Sequence, residues 1–88
     1  MSIAIGDLRK DGTLYAVTVS QESNIRQSTG VNTSSRSVKA GSVLFGEYLG
    51  QVGNLPDGDI LLWDLGVTQA IALAAIASVR VATAEESL

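Results

Sequence analysis

Hydrophobic and polar residues alternate over several short stretches of this chain, and a period of two is typical of a strand with one buried face. The clearest case is residues 13–20, where Tyr15, Val17 and Val19 fall on the same face of an extended chain. β-branched and aromatic side chains dominate this stretch, as is common in strands. The pattern therefore predicts a strand over residues 13–20.

A shorter alternation at Ile3 and Ile5 predicts a first strand. Asp11 and Gly12 lie between these two runs. An Asp-Gly pair favours a tight hairpin turn because both central positions of that turn need a positive φ. The first two strands are therefore expected to form a hairpin.

The central part of the chain holds its only Pro, its only Trp and its only Phe, and is expected to nucleate the core. Pro56 and Gly58 predict a turn between two apolar runs, residues 43–52 and 60–65. We expect these runs to pair antiparallel, with Trp63 covering one end of the core.

The first of these runs is interrupted by glycine, which in a strand often marks a bulge, a bend or a close backbone approach. The glycines concerned are Gly46, Gly50 and Gly53. The alternation predicts one face with Val43, Phe45 and Leu49, and an opposite face with Leu44, Tyr48 and Val52.

The last quarter of the chain is rich in Ala and Leu, which favour helices. Thr68 resembles a helix N-cap, so we predict a helix over residues 68–77 and a strand over residues 78–83. The competing interpretation is an extended strand that includes residues 78–83, where Val79 and Val81 alternate with Arg80 and Ala82, so helix and strand both stay open for residues 68–83. Residues 84–88 are predicted to be a frayed acidic tail.

Residues 20–37 differ from the rest because they are mostly Ser, Thr, Asn and Gln, with Ile25 and Val31 as the only apolar residues. A polar stretch of this length inside a small domain is usually functional or disordered. Three interpretations remain open: a mobile surface loop, a polar edge hairpin turning at Thr29–Gly30, and an arm that orders against a neighbouring subunit.

Together these elements predict a mainly β fold: a single domain, residues 1–88, with about five strands in a small barrel-like or sandwich sheet, one short C-terminal helix, and a polar loop or arm at residues 20–39. An α+β sheet with that helix on one face is the alternative. The stability of a domain of 88 residues is marginal unless a disulfide, a metal or a partner subunit adds to its core.

Composition then narrows the source of stability and the possible chemistry. The chain has no Cys and no His, which excludes disulfides, thiolate metal sites and the commonest general base. With 45% hydrophobic and only 17% charged residues, subunit association is the stabilising factor that we expect. Neither a metal nor a cofactor is predicted.

Charge is distributed unevenly along the chain, whose net charge is −3. Residues 26–39 contain three basic residues and no acid, whereas residues 40–88 contain one basic residue and six acids. An acidic chain argues against nucleic-acid binding, and a basic segment beside an acidic body favours subunits that interlock. Residues 60–79 are apolar but include Asp64 and Gln69, so no membrane span is predicted, and no secretory leader is predicted.

Two pairs of acidic residues are candidate chemical sites. Asp57 and Asp59 flank Gly58 and could hold a cation, but a calcium loop needs more acids than this turn supplies. Glu47 and Asp64 lie on the predicted strand pair and could act as an acid/base pair if they shared a cleft. Turn and surface roles are the simpler interpretations of all four.

Other weak signals favour ordinary structural roles. The central glycines lack the Gly-Lys-Ser/Thr sequence of a phosphate-binding loop. Tyr15, Tyr48 and Trp63 could stack on bases, but no basic residues are interleaved with them, and core packing is expected. No His is present to activate a Ser hydroxyl as a nucleophile. A catalytic Ser–Lys pair would have to use Lys39 as the base in place of His.

In overall style the chain resembles small phage virion proteins, especially capsid decoration or cement proteins, which are short, glycine-punctuated β domains with a polar arm. The resemblance covers the whole chain through these general features and matches no family residues. It implies cytoplasmic expression followed by addition to a capsid shell, dimers or trimers of the protein itself, and contact with a larger shell protein. The expected location is therefore the virion, with the cytoplasm as the alternative.

The predicted function is a structural, assembly role rather than catalysis. The predicted interaction residues are Arg26, Asn32, Arg36 and Lys39, all from the polar segment. The alternative is a small protein-binding adaptor or regulatory module that uses residues 20–39. An enzyme would require the Glu47–Asp64 pair or an outside cofactor.

Overall fold

The computed structural model describes residues 3–53 and 58–83, and these residues form a mainly β fold. Their strands are β1 (Leu14–Val19), β2 (Ser23–Ser28), β3 (Thr33–Val38), β4 (Val43–Val52), β5 (Asp59–Asp64), β6 (Val67–Ala72) and β7 (Ile76–Val81). The predicted β class is confirmed, but the sequence analysis found about five strands where the described residues form seven.

All seven strands belong to one antiparallel sheet in the order β3-β2-β6-β5-β4-β1-β7. The consecutive strands β4, β5 and β6 form its centre. The β2–β3 hairpin extends the sheet on one side, and β1 with β7 extends it on the other. Since β3 and β7 do not pair with each other, the sheet is open and the predicted barrel does not close.

The sheet curls back on itself. Only residues 20–22 link β1 to β2, although three other strands lie between them in the sheet. A flat layer would be about 10 Å thick, whereas the described chain measures 30 × 27 × 24 Å. The curl gives the sheet a concave inner face and a convex outer face.

The core fills the concave face and draws on nearly every strand. Its most deeply buried side chains are Val17, Val19, Ile25, Ile60, Leu62, Ile71 and Val79, each at most 1% exposed. As predicted for β1, Tyr15 lies on this face with Val17 and Val19. The alternation of inward and outward residues therefore determines the core.

The predicted helix over residues 68–77 is wrong. This region forms β6, a 3₁₀ turn over Leu73–Ala75 and the start of β7, and the alternative α+β fold fails with it. β6 is a central strand that pairs with β5 on one side and β2 on the other. These pairings, together with full burial of Ile71, outweigh the modest helix propensity of an Ala-rich segment.

The predicted first strand at Ile3 and Ile5 is also wrong, because residues Ile5–Asp7 form a 3₁₀ turn. Ile3 nevertheless donates its N–H to the Val79 carbonyl at 2.6 Å. Gly12 has the positive φ of a turn residue, +86°, but without a first strand it closes no hairpin.

The predicted pairing of β4 with β5 is confirmed, with Glu47 opposite Trp63. The bulge expected from the glycines is present, since the register shifts between Tyr48 and Gly50. That shift reverses the alternation and leaves Val52 exposed, on the face opposite to the predicted one. Trp63 is 40% exposed on the outer face, so it does not cover the core.

Two predictions fall wholly or mostly outside the described residues: the turn predicted from Pro56 and Gly58, of which only Gly58 is described, and the acidic tail at residues 84–88. No helix in the described part of the chain is long and apolar enough to span a membrane.

Candidate functional site

The polar segment predicted as a functional loop or arm forms the β2–β3 hairpin, as the edge-hairpin interpretation proposed. Thr29 donates its N–H to the Asn32 carbonyl at 3.0 Å, and Gly30 has a φ of +91°. This glycine permits a two-residue turn that matches the twist of the flanking strands.

The hairpin places β3 at one edge of the sheet. Five of its six residues are exposed, and only Val38 is buried. Hydrogen-bonded and non-hydrogen-bonded pairs alternate along an antiparallel ladder. Counting from the bonded Thr29–Asn32 pair, Thr33, Ser35 and Ser37 form non-hydrogen-bonded pairs with β2. Their backbone N–H and C=O groups therefore point to the open edge.

The opposite edge of the sheet, β7, differs because the chain partly covers it. The bond from Ile3 N–H to the Val79 carbonyl occupies that edge. No described residue makes a backbone bond with the outer side of β3. Exposed edge strands can act as templates for pairing with another chain, and β3 is the uncovered edge strand of the described fold.

The four predicted interaction residues lie on one hairpin and its flanking turns but not on one face. Arg26 is opposite Ser35 on the outer face, and its Nη2 pairs with Asp59 Oδ2 at 3.1 Å. The Arg26 side chain is 68% exposed. Solvent therefore weakens this ion pair, which contributes at most about 1 kcal/mol.

Arg36 is opposite Ile25, on the inner side of the hairpin. Asn32 lies in the hairpin turn, where its carbonyl accepts the Thr29 N–H. The Lys39 carbonyl accepts the Ser42 N–H at 3.1 Å, in the turn that leads from β3 to β4. The hairpin thus presents Arg26 and Arg36 in opposite directions.

Arg36 faces an open cavity of about 350 Å³ at one end of the curled sheet, which we call the mouth cavity. Its polar lining consists of Gln27, Arg36, Asp64 and Gln69, and its apolar lining consists of Val43, Leu44, Phe45, Leu65 and Val67. The first set comes from β2, β3, β5 and β6. The core therefore gives way to a chamber with a mixed polar and apolar lining at this end of the inner face.

The strand register explains how these polar residues meet. Gln69 is opposite Gln27 on one side and Leu62 on the other, so all three point to the inner face. Gln69 is only 7% exposed and is the one buried polar side chain among the described residues. Neither Arg36 nor Asp64 forms an ion pair with any residue that the structure describes.

The sequence analysis missed Gln27 and Gln69 as parts of a site, and it named Asp64 only as a partner of Glu47. A signal was present, since each occupies an inward position of an alternating strand where an apolar residue would extend the core. For Gln69 this signal could not be used, because residues 68–77 were predicted to be helical. In a helix, the alternation of inward and outward positions does not apply to Gln69.

The geometry does not support the candidate Glu47–Asp64 pair. Glu47 is opposite Trp63 on the outer face, and Asp64 follows Trp63 and lines the inner cavity, so these two carboxylates lie on opposite sides of the sheet. Asp57 lies outside the described residues. Among the residues described, no group of three or more acids could hold a metal ion.

Comparisons of the chain with protein-family models, with curated proteins and with solved structures find no match.

Proposed function

We propose that this protein is a structural component that joins a larger assembly through the open edge of β3. The observation that carries the proposal is the unpaired outer side of β3, with five exposed residues out of six. An unpaired strand can accept a strand from a second subunit through main-chain hydrogen bonds. The first partner is a second copy of the chain, whose β3 extends the sheet across a twofold axis.

The composition of β3 suits a regulated contact rather than indiscriminate aggregation. Natural proteins protect edge strands with charges, short length or bulges, and β3 has only six residues and carries Arg36. Its Ser and Thr side chains add polar contacts without a large apolar surface. These features favour a specific, reversible pairing.

Charge supports a second contact, with an acidic surface. Residues 26–39 carry three basic side chains and no acid, while the whole chain has a net charge of −3. Oppositely charged surfaces accelerate association and fix its orientation. The hairpin therefore matches an acidic partner such as the shell protein of a virion, which is the assembly that we favour.

The test is the substitution Ser35→Pro, which removes one N–H from the open edge. Pro is tolerated on an edge strand where the missing N–H faced outward, so the β2–β3 ladder keeps its bonds. We expect light scattering across a concentration series to show a dimer or larger closed oligomer for the wild type and a monomer for Ser35→Pro.

The matched control is Ser35→Thr, which keeps the N–H and favours a strand. It should associate like the wild type, and circular dichroism should show the same sheet content in all three proteins. A wild type that is monomeric at every concentration contradicts self-association. An oligomer that survives Ser35→Pro contradicts the edge contact.

The virion assignment has its own test. When purified capsid shells of the encoding virus are mixed with the protein, we expect the wild type to sediment with the shells and the double variant Arg26→Gln/Lys39→Gln to bind at least tenfold more weakly. A failure of both proteins to sediment contradicts the virion role and favours an adaptor that uses the same hairpin.

A further inference from the structure

The mouth cavity combines features of a small-molecule site that the assembly role does not use. Its volume of about 350 Å³ lies at the lower end of the range of about 300–1,000 Å³ for ligand pockets. A water molecule occupies about 30 Å³ of liquid, so the cavity has room for a ligand of about ten non-hydrogen atoms.

The polar lining contains one cation and one anion. Arg36 and Asp64 have no ion-pair partner among the described residues, and both line the same chamber. A ligand with only a negative charge would match Arg36 but be repelled by Asp64, and a ligand with only a positive charge would meet the reverse problem. A ligand with both charges satisfies both side chains.

Two amides and an apolar wall complete the lining. Gln27 and Gln69 are direct cross-strand neighbours and supply donors and acceptors. Gln69 is only 7% exposed. Val43, Leu44 and Val67 supply apolar contacts for an aliphatic group.

From this lining we propose that the mouth cavity binds a small zwitterion with an aliphatic side, such as a free amino acid of leucine size. The ligand carboxylate pairs with Arg36, whose planar guanidinium suits bidentate contact. The ammonium pairs with Asp64, and the aliphatic group lies against the apolar wall. This proposal is independent of the assembly role.

The test is an NMR titration of the ¹⁵N-labelled wild-type chain with L-leucine, leucine methyl ester and N-acetyl-leucine. We expect L-leucine to shift the side-chain amide signals of Gln27 and Gln69. The ester lacks the carboxylate and the acetyl compound lacks the ammonium, so each should bind at least tenfold more weakly.

Charge-neutralising variants locate the site. Arg36→Gln and Asp64→Asn should each weaken leucine binding at least tenfold. The matched controls Arg9→Gln and Glu47→Gln change the net charge equally, lie outside the cavity lining and should bind like the wild type. The spectrum of each variant reports whether it remains folded.

Three results would overturn the proposal. They are an absence of shifts with L-leucine, equal binding of either blocked compound, and equal losses in the cavity and control variants. None of these results affects the Ser35→Pro experiment, so the ligand site and the assembly role fail separately.

Discussion

At the residue scale, Gly46 shows how closely β4 and β5 approach. A Cβ placed on Gly46 would lie 2.9 Å from the Cβ of Leu62 and 3.1 Å from the Trp63 carbonyl oxygen. Both neighbours are fixed, one by core packing and the other by the backbone. The sequence analysis named close approach among the reasons for a glycine here, but it could not tell which of the three central glycines had which role.

We expect Gly46→Ala to destabilise the fold by about 1–3 kcal/mol, the usual cost of overpacking. Urea unfolding followed by circular dichroism measures this loss. Gly6→Ala is the control, because a Cβ there meets nothing within 4 Å and should change stability by less than about 0.5 kcal/mol. Equal effects of the two substitutions would contradict the close approach of β4 and β5.

Asp11 provides a second prediction at this scale, concerning protonation. Hydrogen bonds from the Thr13 hydroxyl and the Thr13 N–H hold the pKa of Asp11 below its ordinary value. Because the folded-state pKa is depressed, the stabilisation is present above the ordinary pKa and is lost as the pH falls through the lowered one.

Thr13→Val removes the hydroxyl donor and should raise the pKa of Asp11 toward its ordinary value. An NMR titration of the Asp11 carboxyl carbon in both proteins measures the change. An unchanged pKa in Thr13→Val would show that the hydroxyl bond has no effect on the charged form.

At the element scale, β6 shows where local sequence is insufficient. Residues 68–77 have the composition of a helix, yet Val67–Ala72 pairs with β5 and β2, and one of these partners lies about forty residues earlier in the chain. Local propensity contains no information about such partners. The strands β1, β4 and β5 were predictable because alternation and turn residues agree there.

The hairpin was predictable only as one of three alternatives. Its turn residues Thr29 and Gly30 gave the right position, but a strand with few apolar residues has no strong alternation. The wrong helix prediction for residues 68–77 also hid part of the site. Arg36 was identified from its charge, whereas Gln69 could be recognised only after β6 was known to be a strand.

The role of β6 in the core gives a prediction at this scale. Ile71 is fully buried, so Ile71→Ala should destabilise the fold by about 2–5 kcal/mol, as large-to-small substitutions in a core do. Leu65→Ala is the control, because Leu65 is 89% exposed. Thermal unfolding should separate the two variants clearly, and similar melting temperatures would contradict the placement of Ile71 in the core.

At the scale of the whole molecule, the curled sheet explains both candidate surfaces. The short links from β1 to β2 and from β3 to β4 join strands that are not neighbours in the sheet, and so bring its two halves face to face. Between them lie the core and, at one end, the mouth cavity. The same curl leaves β3 as an edge that the described part of the chain does not cover.

A domain of this size buries only about 60–65% of the surface of its unfolded chain, so its core alone gives marginal stability. Pairing at an edge would add to that stability. The composition of the chain predicted that subunit association adds stability, but it did not identify β3 as the candidate surface for that association. The order of the seven strands, which determines the edge, depends on contacts between distant parts of the chain.

The most direct test of the open edge is hydrogen exchange of the β3 amides, measured by NMR at low and high protein concentration. In the monomer, the amides of Thr33, Ser35 and Ser37 should exchange fast, while those of Ser34 and Arg36, bonded to β2, exchange slowly. In the oligomer, we expect the first three to become protected as well. An oligomer in which these three amides still exchange fast would contradict assembly through β3.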